Sequence, residues 1–169
     1  LDLFAGTGNV GYHFNNQQTK IYANDILKSN YLSFLAWFGC EKIDRKKIKK
    51  YIEKYNSISD IKENYFSKNF SETYFSKDNC KKIGFIREDI ETNYLQKKIN
   101  QREKAILITS LIYAMDKIAN TVGHYDAYRK NGNLEKKLEL CMLDLKSNTN
   151  NKNNKVFNED ANELVKNIK

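Results

Sequence analysis

Three glycines at fixed spacing, Gly6, Gly8 and Gly11 in the run DLFAGTGNVG, constrain the fold more than any other feature of this chain. The apolar residues Leu1 to Phe4 lead into them as the end of a strand. A loop at Ala5 to Gly8 and a short helix at about Asn9 to Asn15 are expected to follow. Glycine here lets the backbone turn sharply and lets a ligand approach where a Cβ would collide. IYAN at 21–24 reads as a second short strand ending at Asp25. Ile26 to Phe38 then carry apolar residues at helical spacing, with Asp25 or Ser29 available as N-terminal caps. Strand, Gly loop, helix, strand, acid, helix is the opening of an open parallel α/β sheet.

The pattern returns only near the other end. Lys155 to Asn158 read as a third short strand, Asp160 is an acid at its end, and Ala161 to Lys169 a helix. Neighbouring parallel strands are usually joined by one crossover helix, but more than a hundred residues separate Asp25 from Val156. A mostly helical insertion is therefore expected. Its parts are a Lys-rich amphipathic helix at Ile43 to Tyr55, a polar stretch studded with aromatic residues at Ser57 to Asp78, and a helix at Cys80 to Ile99. A strongly apolar helix at Glu103 to Asn120 and a loop at Thr121 to Asn133 come next. Leu138, Leu140 and Met142 alternate as in a strand, the reading we prefer, although Leu134, Leu138, Cys141 and Leu145 suit a helix equally well. Ser147 to Asn154 is an Asn-rich segment expected to be a mobile loop. The expected division is 1–38 with 155–169 as a partial cofactor-binding domain and 39–154 as the insertion.

A chain of 169 residues has room for one sizeable core with such an insertion. Leu1 already lies inside a patterned segment, so the chain reads as a fragment. No stretch approaches the roughly 18 apolar residues of a membrane span. Three scattered cysteines, Cys40, Cys80 and Cys141, lack metal-ligand spacing and fit a reducing cytoplasm better than a disulfide scaffold; no metal site is expected. The net charge of +8 suits a polyanionic partner such as nucleic acid. The Lys-, Asn- and Ile-rich composition would also arise from A+T-rich coding, so charge alone decides little.

Asp25 lies 23 positions after Asp2, at the end of the second strand, where a carboxylate can accept both hydroxyls of a ribose. That fits any nucleoside cofactor, and a nicotinamide dinucleotide is the first rival. In its fingerprint the apolar strand runs straight into the first glycine, whereas here Asp2 and Phe4 give D-x-F-x-G-x-G. A carboxylate beside the loop suits a cationic amino group, such as the methionine end of S-adenosylmethionine, and repels a pyrophosphate.

DLFAGTGNVG, NDI at 24–26, the long insertion and NEDANELVKNI at 158–168 together resemble the D12-class (alpha-order) adenine-N6 DNA methyltransferases of restriction–modification systems. The stretch at 108–130, above all NTVGHYDAY at 120–128, is similar to the recognition side of that family and is the more specific part. The resemblance covers nearly the whole chain. It implies a partial Rossmann-like S-adenosylmethionine-dependent sheet with an inserted, mostly helical DNA-recognition domain. Residue by residue, Asp2, Phe4, Gly6 and Gly8 match the loop around the methionine half of S-adenosyl-L-methionine. Asp25 matches the ribose acid and Ile26 the apolar contact beside the adenine. Asp160 and Ala161 match the acid and backbone N–H that read the adenine edge, although Asp160 would serve equally as a helix cap.

One departure matters. The family's Asp/Asn/Ser-Pro-Pro-aromatic tetrapeptide is missing, because the chain contains no proline; no catalytic residue is therefore assigned here, and the fragment alone is expected to be inactive. In the family that clamp accepts hydrogen bonds from the target amino group of a base swung out of the duplex. Double-stranded DNA is the implied partner, possession of a cognate restriction endonuclease is compatible with it, and a monomer is expected. Lys46 and Lys50 on the basic helix suit phosphates, or a merely solvated face. Gly123, His124 and Tyr125 offer a turn, a donor and a stacking ring for a DNA groove, or packing against the preceding helix. An NAD-type oxidoreductase and a non-catalytic nucleic-acid or cofactor-binding module are the alternatives.

Overall fold

The computed structural model describes residues 1–147 and 149–168. The expected loop at Ser147 to Asn154 and the helix running to Lys169 fall in part on Asn148 and Lys169, which lie outside the described residues. The chain forms two compact units: residues 1–44, 99–109 and 143–169, and residues 45–98 and 110–142. No helix among the described residues is long and apolar enough to cross a membrane.

The first unit is mixed α/β around a small parallel sheet. Strands β1 (Tyr22–Asn24) and β2 (Lys155–Phe157) pair in parallel with Ala23 opposite Val156. The expected first strand is a single parallel bridge, Asp2 to Ala23, in which Asp2 N–H donates to Tyr22 and Asn24 N–H donates back to Asp2. Helices α1 (Asn9–Phe14) and α2 (Lys28–Phe38) follow the first two segments, and α7 (Ala161–Asn167) follows β2. Ile21, Ala23, Phe34 and Phe38 form the core here, with Ala5, Tyr12, Trp37 and Val156 packed around it. The third glycine earns its place by close packing: a Cβ on Gly11 would lie 2.9 Å from the Phe38 ring.

The second unit holds helices α3 (Arg45–Ser57), α4 (Tyr65–Phe70) and α5 (Lys77–Leu95), together with the C-terminal half of α6 (Gln101–Ile118), which begins in the first unit. Helix α3 buries Ile48, Ile52 and Tyr55 at helical spacing and leaves its lysines on the other face. Helix α4 lies inside the stretch expected to be irregular. It is nucleated by a capping box in which Asn64 and Ser67 satisfy each other's backbone N–H groups. A similar exchange between Asn100 and Glu103 starts α6 two residues before the apolar periodicity does.

The strand preferred through Leu138, Leu140 and Met142 is absent: the segment has no regular secondary structure, although both leucines are buried. Side-chain amides take the place of a partner strand. Asn56 accepts from Leu140 N–H at 2.8 Å and donates to Leu140 O at 2.9 Å; Asn79 accepts from Leu138 N–H at 3.1 Å and donates to Lys136 O at 2.7 Å. The strand expected from the alternation is therefore not formed, because Asn56 of α3 and Asn79 of α5 take the backbone hydrogen bonds that a partner strand would take. Replacing Asn56 by Ala strands both backbone groups of Leu140. Urea denaturation should show a loss of about 1–3 kcal/mol, the cost of unmade bonds on buried groups, and an unchanged midpoint would mean that water replaces the amide.

Candidate functional site

Three chain segments converge at the ends of the sheet strands in the first unit. After Asp2 the chain turns at Gly6 (φ +54°) and Gly8 (φ +78°), both in the left-handed region that favours glycine. Gly8 is buried and caps α1, and a Cβ there would press on the Phe34 ring at 3.2 Å. After β1 comes Asp25, and after β2 comes Asn158–Glu159–Asp160.

Asp25 is the hub of the turn. Its Oδ2 accepts from Gly6 N–H and its Oδ1 from Leu27 N–H, both at 2.9 Å. It does not cap α2, whose N-cap is Leu27, without a side-chain bond. Partial burial pushes the Asp25 carboxyl up, but hydrogen bonds from Leu27 N–H, the Asn30 side chain and Gly6 N–H outweigh it and hold the group below its ordinary value. Three accepted bonds leave the carboxylate with capacity for one further donor.

Two asparagines that the sequence did not single out clasp the three segments together. Asn24, only 1% exposed, donates to Leu3 O (3.1 Å) and Glu159 O (3.0 Å) and accepts from Glu159 N–H (3.1 Å). Asn158 donates to Asp25 O (2.8 Å) and Ile26 O (2.9 Å). The available signal was a polar residue at the last, buried position of an apolar strand, a place it holds only when its polar atoms are satisfied.

A cavity of about 190 Å³ opens between these segments, lined by Leu3, Phe4 and Ile26, by Asn24, Asp25 and Glu159, and by Asp160, Ala161 and Asn162. The structure thus brings together five of the eight cofactor candidates: Phe4, Asp25, Ile26, Asp160 and Ala161. Asp2 sits behind the loop with its carboxylate accepting from Phe4 N–H, and Gly6 and Gly8 shape the turn. Phe4 and Ile26 are exposed and give the cavity apolar flanks. Asp160 caps α7 through Oδ1, which accepts from Asn162 and Glu163 N–H. Its Oδ2 and the Ala161 N–H make no hydrogen bond among the described residues, so an acceptor and a donor stand side by side. Among the described residues, three carboxylates and no cation line this cavity.

The other candidates lie in the second unit. Lys46 and Lys50 are exposed one turn apart on α3. The loop after α6 is closed by a bridge between Thr121 and Tyr128 and turns at Gly123 (φ +112°). His124 is exposed, with Nδ1 3.7 Å from Asp126. Tyr125 is half-exposed; its hydroxyl donates to Asp116 at 3.0 Å, and its ring packs on Tyr74 and Phe75. Burial, then the Asp116 carboxylate, raises the Tyr125 hydroxyl well above its ordinary value, so it stays a donor. Charge is divided unevenly. The second unit has nineteen Lys and Arg against twelve Asp and Glu, net +7, and the first has ten against nine, net +1.

The profile of the family described as D12 class N6 adenine-specific DNA methyltransferase matches residues 1–169. The chain is 35% identical to "Modification methylase StsI" of Streptococcus sanguinis, over all of this chain and 28% of that protein. It is 32% identical to "Type II methyltransferase M.FokI" of Planomicrobium okeanokoites, over 99% of this chain and 28% of that protein. It is also 32% identical to "Type II methyltransferase M.NlaIII" of Neisseria lactamica, over 99% of this chain and 51% of that protein. The chain therefore spans about a quarter to a half of the length of these curated relatives. No solved structure matches it.

The lowered pKa of Asp25 has a stability consequence. The carboxylate contributes stability that is complete above the unfolded value, about pH 4, and is lost as pH falls through the lower folded value. Denaturation midpoints measured from about pH 5 down to pH 2 should fall more steeply for the wild type than for Asp25→Asn. Parallel curves would show that the loop bonds do not depend on the charge.

Proposed function

The chain belongs to the D12 class N6 adenine-specific DNA methyltransferase family, and on that premise we propose that it is the donor-binding and DNA-contacting part of a restriction–modification enzyme. The proposed reaction transfers a methyl group from S-adenosyl-L-methionine to N6 of adenine in duplex DNA. The first unit is read as part of a Rossmann-like donor-binding sheet, and residues 39–154 as the inserted recognition region.

The observation that carries the donor half is the charge of the cavity. Three carboxylates, Asp25, Glu159 and Asp160, line it without any cation. A ligand bearing a sulfonium and an ammonium is attracted there, and a pyrophosphate is repelled. This disfavours the NAD-type alternative. The polar groups fit the rest of the ligand: beside its bonds from Gly6, Leu27 and Asn30, Asp25 keeps acceptor capacity for a ribose hydroxyl, and Phe4 and Ile26 offer apolar flanks to a purine. The free Asp160 Oδ2 and Ala161 N–H match the amino donor and ring-nitrogen acceptor of adenine. Asp2, on the strand leading into the loop, is the carboxylate assigned to the methionine amino group. When bound, S-adenosyl-L-methionine supplies an electrophilic methyl group on its sulfonium sulfur.

The DNA half rests on the net +7 of the second unit. Lys46 and Lys50 supply charge without directional geometry, which suits phosphates. Gly123, His124 and Tyr125 supply donors and a ring for groove contacts. The clamp on the target amine is assigned to residues outside this chain, since an Asp/Asn/Ser-Pro-Pro-aromatic run needs prolines and none is present. A cognate restriction endonuclease would then recognise the same sites.

Two measurements test this reading. In titration calorimetry the chain should bind S-adenosyl-L-methionine in preference to NAD, and Asp25→Ala should weaken binding by about 1–3 kcal/mol; equal affinity for NAD would overturn the donor assignment. With radiolabelled donor, the 169-residue chain should transfer nothing to duplex DNA, whereas a protein extended through a Pro-Pro tetrapeptide should. Label incorporated by the chain itself would show that the chemistry resides within these residues.

A further inference from the structure

The second unit carries a continuous run of aromatic rings contributed by two distant parts of the chain. In the first part, Tyr65 meets Phe70 edge-on (centroids 6.3 Å apart), Phe70 meets Phe66 (4.9 Å), and Phe66 meets Phe75 (6.4 Å). Phe75 then touches Tyr125 (6.4 Å) from the loop after α6, where Tyr74 joins Tyr125 (5.4 Å) to Tyr128 (5.8 Å). The middle of the run is buried at Phe75, and both ends are open. Tyr65 is 76% and Phe70 43% exposed at one end; Tyr125 is 46% and Tyr128 48% exposed at the other.

Aromatic rings left in water on a rigid support mark an interaction surface rather than a core. The support is rigid here. Helix α4, which presents Tyr65 and Phe70, is fixed by the Asn64–Ser67 capping box and by Asn64 donating to Lys81 O at 2.8 Å. Tyr74 donates to the Tyr125 carbonyl, and Asn120 ties Thr73 O to Arg129 O at 3.0 and 2.9 Å. A ring already held by its neighbours loses little freedom when something stacks on it. The exposed cations Lys68, Arg129 and Lys130 flank the two ends, on a unit of net charge +7. Flat apolar faces set among cations match bases set along a phosphate chain.

We propose that the run of rings from Tyr65 and Phe70 to Tyr125 and Tyr128 is a stacking surface for unpaired or unstacked DNA bases, separate from the cavity that takes the methyl donor. This rests on the reading of the chain as part of a DNA methyltransferase and adds to it a site for DNA in which base pairing is opened. Tyr65 and Phe70 are the residues to test, because they are the exposed members furthest in sequence from the loop already assigned to DNA.

The intact protein should be titrated with two fluorescein-labelled oligonucleotides, a fully paired duplex and the same duplex with a three-base single-stranded bulge. The Tyr65→Ala/Phe70→Ala variant should lose about ten-fold or more in affinity for the bulged DNA, as expected for one to two stacked bases. Its affinity for the paired duplex, its salt dependence, its donor binding and its circular dichroism should stay close to wild type. Tyr65→Phe/Phe70→Tyr should behave as wild type, because stacking needs the ring and not the hydroxyl. An equal loss on both DNAs, or none on either, overturns the proposal. So does unchanged DNA binding combined with altered self-association in sedimentation, which would make a second copy the occupant. Wild-type protein that binds neither DNA would instead overturn the parent reading.

Discussion

The side-chain amide of asparagine carries much of this structure. The parallel sheet is only two three-residue strands and one bridge, so most backbone groups at the strand ends cannot be satisfied by a ladder. Buried N–H and C=O groups must still be paired. An asparagine amide offers a donor and an acceptor in the geometry of a peptide group, and Asn24 uses both to join the turn after Asp2 to the turn after β2. Asn158 repeats the device toward Asp25 and Ile26. In the second unit Asn56 and Asn79 do the same for a segment that has no partner strand.

The consequence for the candidate site is pre-organisation. Three segments are tied to one another by the buried Asn24 amide and the half-buried Asn158 amide. Asp25 accepts from Gly6, Leu27 and Asn30 and still lines the cavity. Asp160 caps α7 with one carboxylate oxygen and keeps the other. Asp25 after β1 and Glu159 with Asp160 after β2 together give the cavity its acidic lining.

The division of charge gives the two units different physical characters. Nearly all of the net +8 belongs to the second unit, residues 45–98 and 110–142. The unit around the sheet is close to neutral and has an acidic cavity. A composition shaped by A+T-rich coding would spread lysine over both units, so the concentration on one of them is the informative part. A long-range attraction for polyanions and a local attraction for a cationic ligand can coexist in one chain when they are segregated in this way.

The sequence alone determined the elements whose signals are local. Glycine spacing located the left-handed turn, because no other residue reaches those backbone angles cheaply. Period-2 and period-3.6 patterns located β1, β2, α2, α3 and α6 to within a few residues, because burial of one face dictates them. The family resemblance supplied the roles we propose for Asp25, Asp160 and the loop at 120–128. Helix α4 was missed because its start is set by an exchange between Asn64 and Ser67 rather than by apolar periodicity. The strand expected at Leu138 to Met142 does not form, because its backbone is held by Asn56 and Asn79, which look like surface residues until the chain folds. What only the tertiary structure decided is which residues stand next to each other: the Asn24 clasp, the absence of cations around three acids, and rings from Tyr65 to Tyr128 joined through Phe75. These depend on contacts between segments far apart in the chain, and no local preference in the sequence encodes such a meeting.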